Sequence, residues 1–225
     1  MYEREYDGKT YTLEASGGLI NSSLVMRDRE TDSYWSLMKS EVIGGKLSGL
    51  KMKELPVSEK MRWRDWVAKY PNTEVLSVNG REDAFPVYED YFSSPEGFRG
   101  SKAVDSRLPT KAPIFAFQWN GKAYAVPQSA VTNGAAYDLG GAWVFLYRPP
   151  NVEKFWSTDA YISEKNFVKR GVKWRSVGSK CVFNPQTGNF EPEGDAPCPE
   201  ALPGYDTFWY NWSLNHDEVI LLGVK

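Results

Sequence analysis

Apolar and polar positions alternate in short runs broken by turn residues, the pattern of a chain built mostly from strands. Thr10-Tyr11-Thr12-Leu13 is a short β-type run, and Leu24-Val25-Met26 predicts a strand. Asp28 to Asp32 predicts a polar turn, with Tyr34-Trp35 as the returning strand. Gly44 to Gly49 is glycine-rich and predicts turn chemistry between strands. Trp63, Trp66, Val67 and Tyr70 fall at i, i+3, i+4 and i+7, one face of an amphipathic helix. Pro71-Asn72 ends that helix, and Glu74 to Val78 predicts a further strand. Pro113 to Pro127 predicts a hairpin about Asn120-Gly121, a pair suited to a type I′ turn in which both central residues need positive φ.

The later chain repeats this order. Trp143 to Tyr147 and Val172 to Ser176 predict strands, Leu202-Pro203 matches Leu55-Pro56, and Phe208 to His216 carries the same W-x-x-W spacing. Val219 to Leu222 then predicts a closing strand. Trp63, Trp66, Val67 and Tyr70 thus align with Trp209, Trp212, Ser213 and His216, and Trp35 with Trp174. The expected fold is mostly β (α+β with few short helices), made of two tandem, internally duplicated β-rich units packed as a pseudo-symmetric pair. The first unit spans 1–80, an irregular aromatic connector spans 81–112, and the central hairpin and second unit span 113–225. Trp35, Trp63, Trp66, Trp174, Trp209 and Trp212 are the expected structural indoles, burying a matching centre in each half.

Composition narrows the chemistry. Lys and Arg number 27 against 29 acids, a net charge of −2 with no basic excess, so nucleic acid is not the expected partner. No run approaches the ~18 apolar residues of a membrane helix, and Met1 to Tyr6 does not open like a signal peptide, so a mature or cytosolic chain is expected. With His216 as the single histidine and Cys181 and Cys198 as the two cysteines, the His-rich metal sites are excluded. No calcium-loop motif or phosphate-binding glycine motif occurs either, so neither metal nor cofactor is expected. The cysteines bracket a segment rich in Pro, Gly and Asn, where a disulfide would pin the loop in an oxidising compartment, favouring an extracytoplasmic location. In a reducing cytosol both would stay thiols.

Candidate sites follow from residue type and place. The connector carries Phe85, Tyr88, Tyr91, Phe92 and Phe98, aromatics on a long irregular stretch that either mark an interaction surface or staple the loop down. Arg81, Asp83, Asp105, Arg107 and Lys111 flank it and are expected to shape a polar cleft where the halves meet. His216 beside Asp217 and Glu218 has the composition of a general base with an orienting carboxylate, but neighbouring helix-end residues diverge, so a capping or packing role is expected. Asp28, Glu30 and Asp32 alternate with Arg27 and Arg29, which predicts a self-paired turn rather than a cation site.

The block from Ser16 to Trp35 resembles the signature of a prokaryotic domain-of-unknown-function family, DUF3179. Gly45-Lys46-Leu47-Ser48-Gly49, Leu55-Pro56, Trp63, Trp66 and Pro71 resemble it too, as do Asp105 to Lys111 and Ala123 to Pro127. Two departures stand out: no residue precedes Met1 to supply the family's Cys-Pro-x-Cys-like segment, and Tyr70 stands where the family tends to have His. The resemblance implies no established activity and no agreed catalytic residues. Three functional classes are therefore carried forward. The first is a non-catalytic binding or interaction protein, such as an accessory subunit of a larger assembly, with a protein partner or small ligand at Phe85, Tyr88, Tyr91, Phe92 and Arg107. The second is a hydrolase or transferase with paired carboxylates in the cleft. The third is a carbohydrate-binding module with exposed tryptophans.

Overall fold

The computed structural model describes residues 1–56, 60–77, 88–152, 157–195 and 197–224. The chain opens with a small hairpin, β1 (Glu5–Tyr6) and β2 (Lys9–Thr10), turned at Asp7-Gly8. A four-stranded antiparallel meander follows, made of β3 (Leu13–Ile20), β4 (Ser23–Asp28), β5 (Tyr34–Ser36) and β6 (Glu41–Gly44). Met26 lies opposite Trp35, so the strand, turn and return expected from the sequence are present. Trp35 is fully buried among Tyr11, Val42 and Met52. At Gly45 (φ 89°) a Cβ would lie 2.6 Å from the Ser33 backbone, so the bend after β6 requires glycine.

Asp28 explains why this turn is so sharply specified. Its carboxylate is fully buried. It accepts from the Thr31 N–H at 2.5 Å and from Thr31 Oγ1 at 2.9 Å. It also accepts from the Ser33 N–H at 3.1 Å and from the Trp35 indole N–H at 2.8 Å. Burial pushes the carboxyl up, but the donors from Trp35, Thr31 and Ser33 outweigh it and hold it below the usual range. Glu30 instead accepts from the Thr12 N–H, while Arg27 and Arg29 both reach Glu14. Asp32 is left with a 3.7 Å approach to Arg27.

Two short helices come next, α1 (Trp63–Lys69) and α2 (Glu89–Ser93). The chain then builds β7 (Pro113–Trp119), β8 (Lys122–Pro127), β9 (Ala135–Asp138), β10 (Trp143–Tyr147) and β11 (Asp159–Ser163). After these come β12 (Phe167–Arg170), β13 (Lys173–Ser176), β14 (Cys181–Asn184), β15 (Asn189–Pro192) and β16 (Glu200–Ala201). It closes with β17 (Tyr205–Phe208), α3 (Trp209–Asn215) and β18 (Val219–Leu221). The β7–β8 hairpin turns at Asn120-Gly121, both with positive φ, as the dipeptide predicts.

These elements stack in layers dictated by period-two alternation. The sheet β17-β7-β8-β18 presents Ile114, Ala116 and Ala125 to Trp209 and Trp212 of α3. Its other face presents Phe115, Phe117, Tyr124 and Val126 to Val144, Leu146 and Ile162 of the sheet β16-β11-β10-β9. Phe145 and Tyr147, pointing the opposite way from β10, meet Phe167, Phe183 and Phe190 of the meander β12-β13-β14-β15. Phe145 alone has four ring neighbours at centroid distances of 5.0 to 5.4 Å. A disulfide joins Cys181 to Cys198, with the Cα atoms 5.6 Å apart, tying this meander to the segment before β16.

The mostly β class with few short helices is what the sequence predicts. The pseudo-symmetric duplication is not found. Trp209 and Trp212 have no exposed surface, whereas no residue of α1 is buried and Trp63 is 56% exposed. Small residues at Ala116 and Ala125 leave room for indoles beneath α3. Residues 74–77 form no strand, and Leu76 is 93% exposed; Val78, the end of that expected strand, lies outside the described residues. β18, its expected counterpart, pairs parallel to β8. Trp143 to Tyr147 and Trp174 lie in different sheets, and Trp174 is half-buried, its indole N–H donating to the Asn133 carbonyl.

Asp28→Ala would leave the Trp35, Thr31 and Ser33 donors without their acceptor and lower stability by about 3–5 kcal/mol in urea titrations. Asp32→Ala would stay within about 0.5 kcal/mol of the parent. Because the Asp28 pKa is depressed by folding, its contribution is complete above the unfolded carboxylate pKa and is lost as pH falls through the folded value. Asp28→Asn should flatten that acid limb in the same titrations repeated across pH.

Candidate functional site

A cleft of about 760 Å³ opens where the N-terminal segment meets the layered sheets. Its walls come from Lys60, Lys69 and Tyr70 on one side and from the β14–β15 turn at Gln186 to Asn189 on the other. Ser157 to Tyr161 and Ala201 to Thr207 form its floor. A second cavity of about 350 Å³ shares Lys60, Asp206 and Thr207 with it and is lined by Tyr91, Phe92, Pro113 and Phe208. The two therefore adjoin across β17.

Beneath the cleft lies a buried ionic knot. Asp206 accepts from the Thr158 N–H at 2.7 Å, Thr158 Oγ1 at 2.6 Å and Gln128 Nε2 at 2.7 Å. Arg148 Nη1 reaches the same carboxylate at 3.3 Å, with side chains only 4% and 7% exposed. The Lys60 ammonium donates to the Asp206 carbonyl at 2.8 Å, while much of that side chain remains exposed. Burial pushes the Asp206 carboxyl upward, against the pull of Thr158, Arg148 and Lys60. Burial likewise depresses the Arg148 guanidinium, opposed by Asp206. Arg retains its charge in proteins, and the Asp206 carboxyl is the acid in contact with its guanidinium.

The tyrosines around the cleft are also engaged. Tyr161 donates to the Gly188 carbonyl at 2.7 Å, and burial pushes its phenol up to about 12. Tyr205 donates to the Leu37 carbonyl at 3.1 Å and contacts the Tyr2 hydroxyl, and burial raises its phenol strongly. Asp159, the other acid on the floor, is half-buried and approaches Gly188, where a Cβ would lie 2.9 Å from its carboxylate.

The residues singled out from the sequence fall in several places. Tyr91 and Phe92 line the smaller cavity, and Lys111 sits 4.2 Å from the Tyr91 ring centroid and donates to the Tyr91 and Ser94 carbonyls. Tyr88 is exposed and packs on Phe92, and Phe98 lies beneath Arg99. Arg107 clamps Asp105, donates to the Val219 carbonyl at 2.7 Å and lies over Trp209, so it braces α3 rather than lining the cleft. Phe85, Arg81 and Asp83 lie outside the described residues. His216 packs on Trp212, and its Nε2–H donates to the Met38 carbonyl at 3.0 Å, fixing that tautomer. Burial lowers its pKa, which disfavours the charged form of this packing residue. Among the described residues, no group of three or more His, Cys, Asp or Glu side chains is placed to hold a metal.

Sequence reasoning missed Arg148, Thr158, Lys60 and Asp206. One signal was present: Arg148 continues the apolar run Trp143 to Tyr147, and Asp206 interrupts the aromatic run Tyr205 to Trp209, each a charge where alternation demands burial.

A layered, mostly β fold with a polar cleft over an internal ion pair is the class defined here. The family described as "Protein of unknown function (DUF3179)" matches residues 1–219, and the chain belongs to it. No curated protein and no solved structure matches the chain.

Asp206→Ala would remove the buried acid that contacts Arg148 and accepts from Thr158 and Gln128, and should cost about 3–5 kcal/mol of stability. Lys60→Ala, which removes a partly exposed ammonium, should cost about 1 kcal/mol or less. Chemical denaturation of both variants checks the ratio.

Proposed function

We propose that this protein is a non-catalytic binding protein whose ligand occupies the cleft above Asp206, within an accessory or assembly role. The observation that carries this reading is the state of the acid at the cleft floor. Asp206 is engaged by three donor contacts to its carboxylate, from Gln128 and Thr158, and by a buried guanidinium. A general acid or base needs a titratable group able to reach substrate, and a carboxylate held this way serves structure instead. The cleft's size is in the range that takes a drug-sized or short peptide ligand. Its rim supplies side-chain groups for orientation at Gln186, Thr187 and Asn189 and ammonium groups at Lys60 and Lys69. The Cys181–Cys198 disulfide supports an oxidising, extracytoplasmic setting.

The other two classes have less support. Among the described residues, a carboxylate-dependent hydrolase would have Asp159 left as an acid on the cleft floor. A sugar-stacking surface would need exposed indoles: of those singled out from the sequence, Trp35, Trp209 and Trp212 are fully buried and Trp66 and Trp174 half-buried, which leaves Trp63 as the exposed one. The Trp66 ring is turned onto Tyr70 at 4.6 Å, with its N–H donating to Thr73.

Saturation-transfer NMR with a panel of amino acids, dipeptides, sugars and small carboxylates tests the proposal. The parent protein is expected to give hits that Thr187→Trp, which fills the cleft rim, abolishes without lowering the melting temperature. Absence of hits, or hits unchanged by Thr187→Trp, would count against the cleft as the site. Turnover of generic ester, phosphate or glycoside substrates that Asp159→Asn removes would move the protein to the enzyme class.

A further inference from the structure

We propose that α1 and the segment following it dock on the surface of an anionic lipid bilayer. The helix Trp63–Lys69 buries none of its residues. Trp63, Val67, Tyr70, Val75 and Leu76, which follow one another along 14 residues, are all exposed large hydrophobics. Elsewhere in the N-terminal region Tyr11, Val42 and Met52 pack onto Trp35, and the exposed Leu19, Leu24 and Tyr34 lie on the β3–β5 meander rather than on this helix. Helical spacing places Trp63, Val67 and Tyr70 along one stripe.

Charge selects the partner. Residues 60–77 carry four cations (Lys60, Arg62, Arg64, Lys69) and two acids (Asp65, Glu74), a local net charge of +2 in a chain of net −2. All four cations lie at the surface, Lys60 with its ammonium on the Asp206 carbonyl and Arg64 3.5 Å from Asp65. Apolar stripe, indole and phenol beside Lys and Arg on one short helix is the composition of a segment that lies in a head-group layer. There the rings sit at the interface while the cations meet lipid phosphates, each adding to the attraction. A protein groove would be favoured by a deeper apolar surface and fewer cations, because charged residues are depleted from interface cores.

The helix is held ready for such contact from its ends. Lys60 exchanges backbone and side-chain hydrogen bonds with Ser157 and anchors on Asp206, and Trp66 donates to Thr73 at 2.8 Å beyond the C-terminal end. Lys69 and Tyr70 also line the cleft, so docking would bring the cleft mouth close to the lipid surface. This proposal does not depend on what the cleft binds.

Co-sedimentation of the full chain with phosphatidylcholine vesicles containing about 30% phosphatidylglycerol tests it, with pure phosphatidylcholine vesicles as the reference. Binding is expected to be stronger on the anionic vesicles by about tenfold or more and to weaken as salt is raised. Trp63→Ala should reduce it roughly tenfold with an unchanged melting temperature, since the indole is exposed. The pair Arg62→Glu/Arg64→Glu should remove the anionic preference. No binding to anionic vesicles, or binding indifferent to lipid charge and to both variants, would overturn the proposal. So would concentration-dependent dimerisation in sedimentation velocity that Trp63→Ala abolishes in the absence of vesicle binding; that result would assign the face to a second copy of the chain.

Discussion

Asp206 and Arg148 form an ion pair with 7% and 4% side-chain exposure, and the arrangement of the C-terminal layers around the cleft depends on it. Taking two charges out of water costs several kcal/mol each, and attraction between them repays this only when the remaining hydrogen-bonding capacity is filled. Here the carboxylate is satisfied from separate parts of the chain, by Gln128 after β8, Arg148 after β10 and Thr158 before β11, while Lys60 reaches the Asp206 backbone carbonyl from the N-terminal side. Each donor comes from a connection rather than a strand interior. The carboxylate thereby fixes the ends of β8, β10 and β11 against β17, where hydrogen-bonded ladders no longer reach.

That placement accounts for the cleft. Apolar layers stop where β10 and β17 run into charge, and the space above the pair is polar on its floor and open at its rim. The N-terminal meander meets this region through polar contacts, including Tyr2 with Tyr205, His216 with Met38, and Asn21 and Asn215 across α3. A junction built from side-chain hydrogen bonds specifies geometry more sharply than an apolar seam, because an unmatched buried group is costly. The same economy explains the block Asp28 to Trp35. One buried carboxylate organises a turn and orients an indole.

Local features of this architecture were legible in the sequence. Asn120-Gly121 predicts its hairpin because the dipeptide satisfies a backbone requirement that few others meet. The strands about Asp28 and the helix over Trp63 to Lys69 are likewise found where periodicity places them. Burial was less readable. The Trp63/Trp66 and Trp209/Trp212 helices share a spacing, yet α3 buries its indoles on the alanine face of β7 and β8 while no residue of α1 is buried, and helical period cannot report what lies opposite. The site was the least legible part. Asp206 and Arg148 are 58 residues apart, and nothing local in either segment names the other. Tyr91 and Phe92 were readable as candidate binding aromatics, and they do line the cavity that adjoins the cleft. Arg107 was drawn instead to Asp105 and Trp209.

The Thr158 amide reports on the ion pair most directly, because this residue precedes β11 and its N–H donates to the Asp206 carboxylate rather than to a ladder carbonyl. Native-state hydrogen exchange should find it as slow as the Val144 and Phe145 amides of β10, opening only with global unfolding. Exchange at the rate of an unprotected loop, with β10 still protected, would show that Asp206 does not hold these layers together.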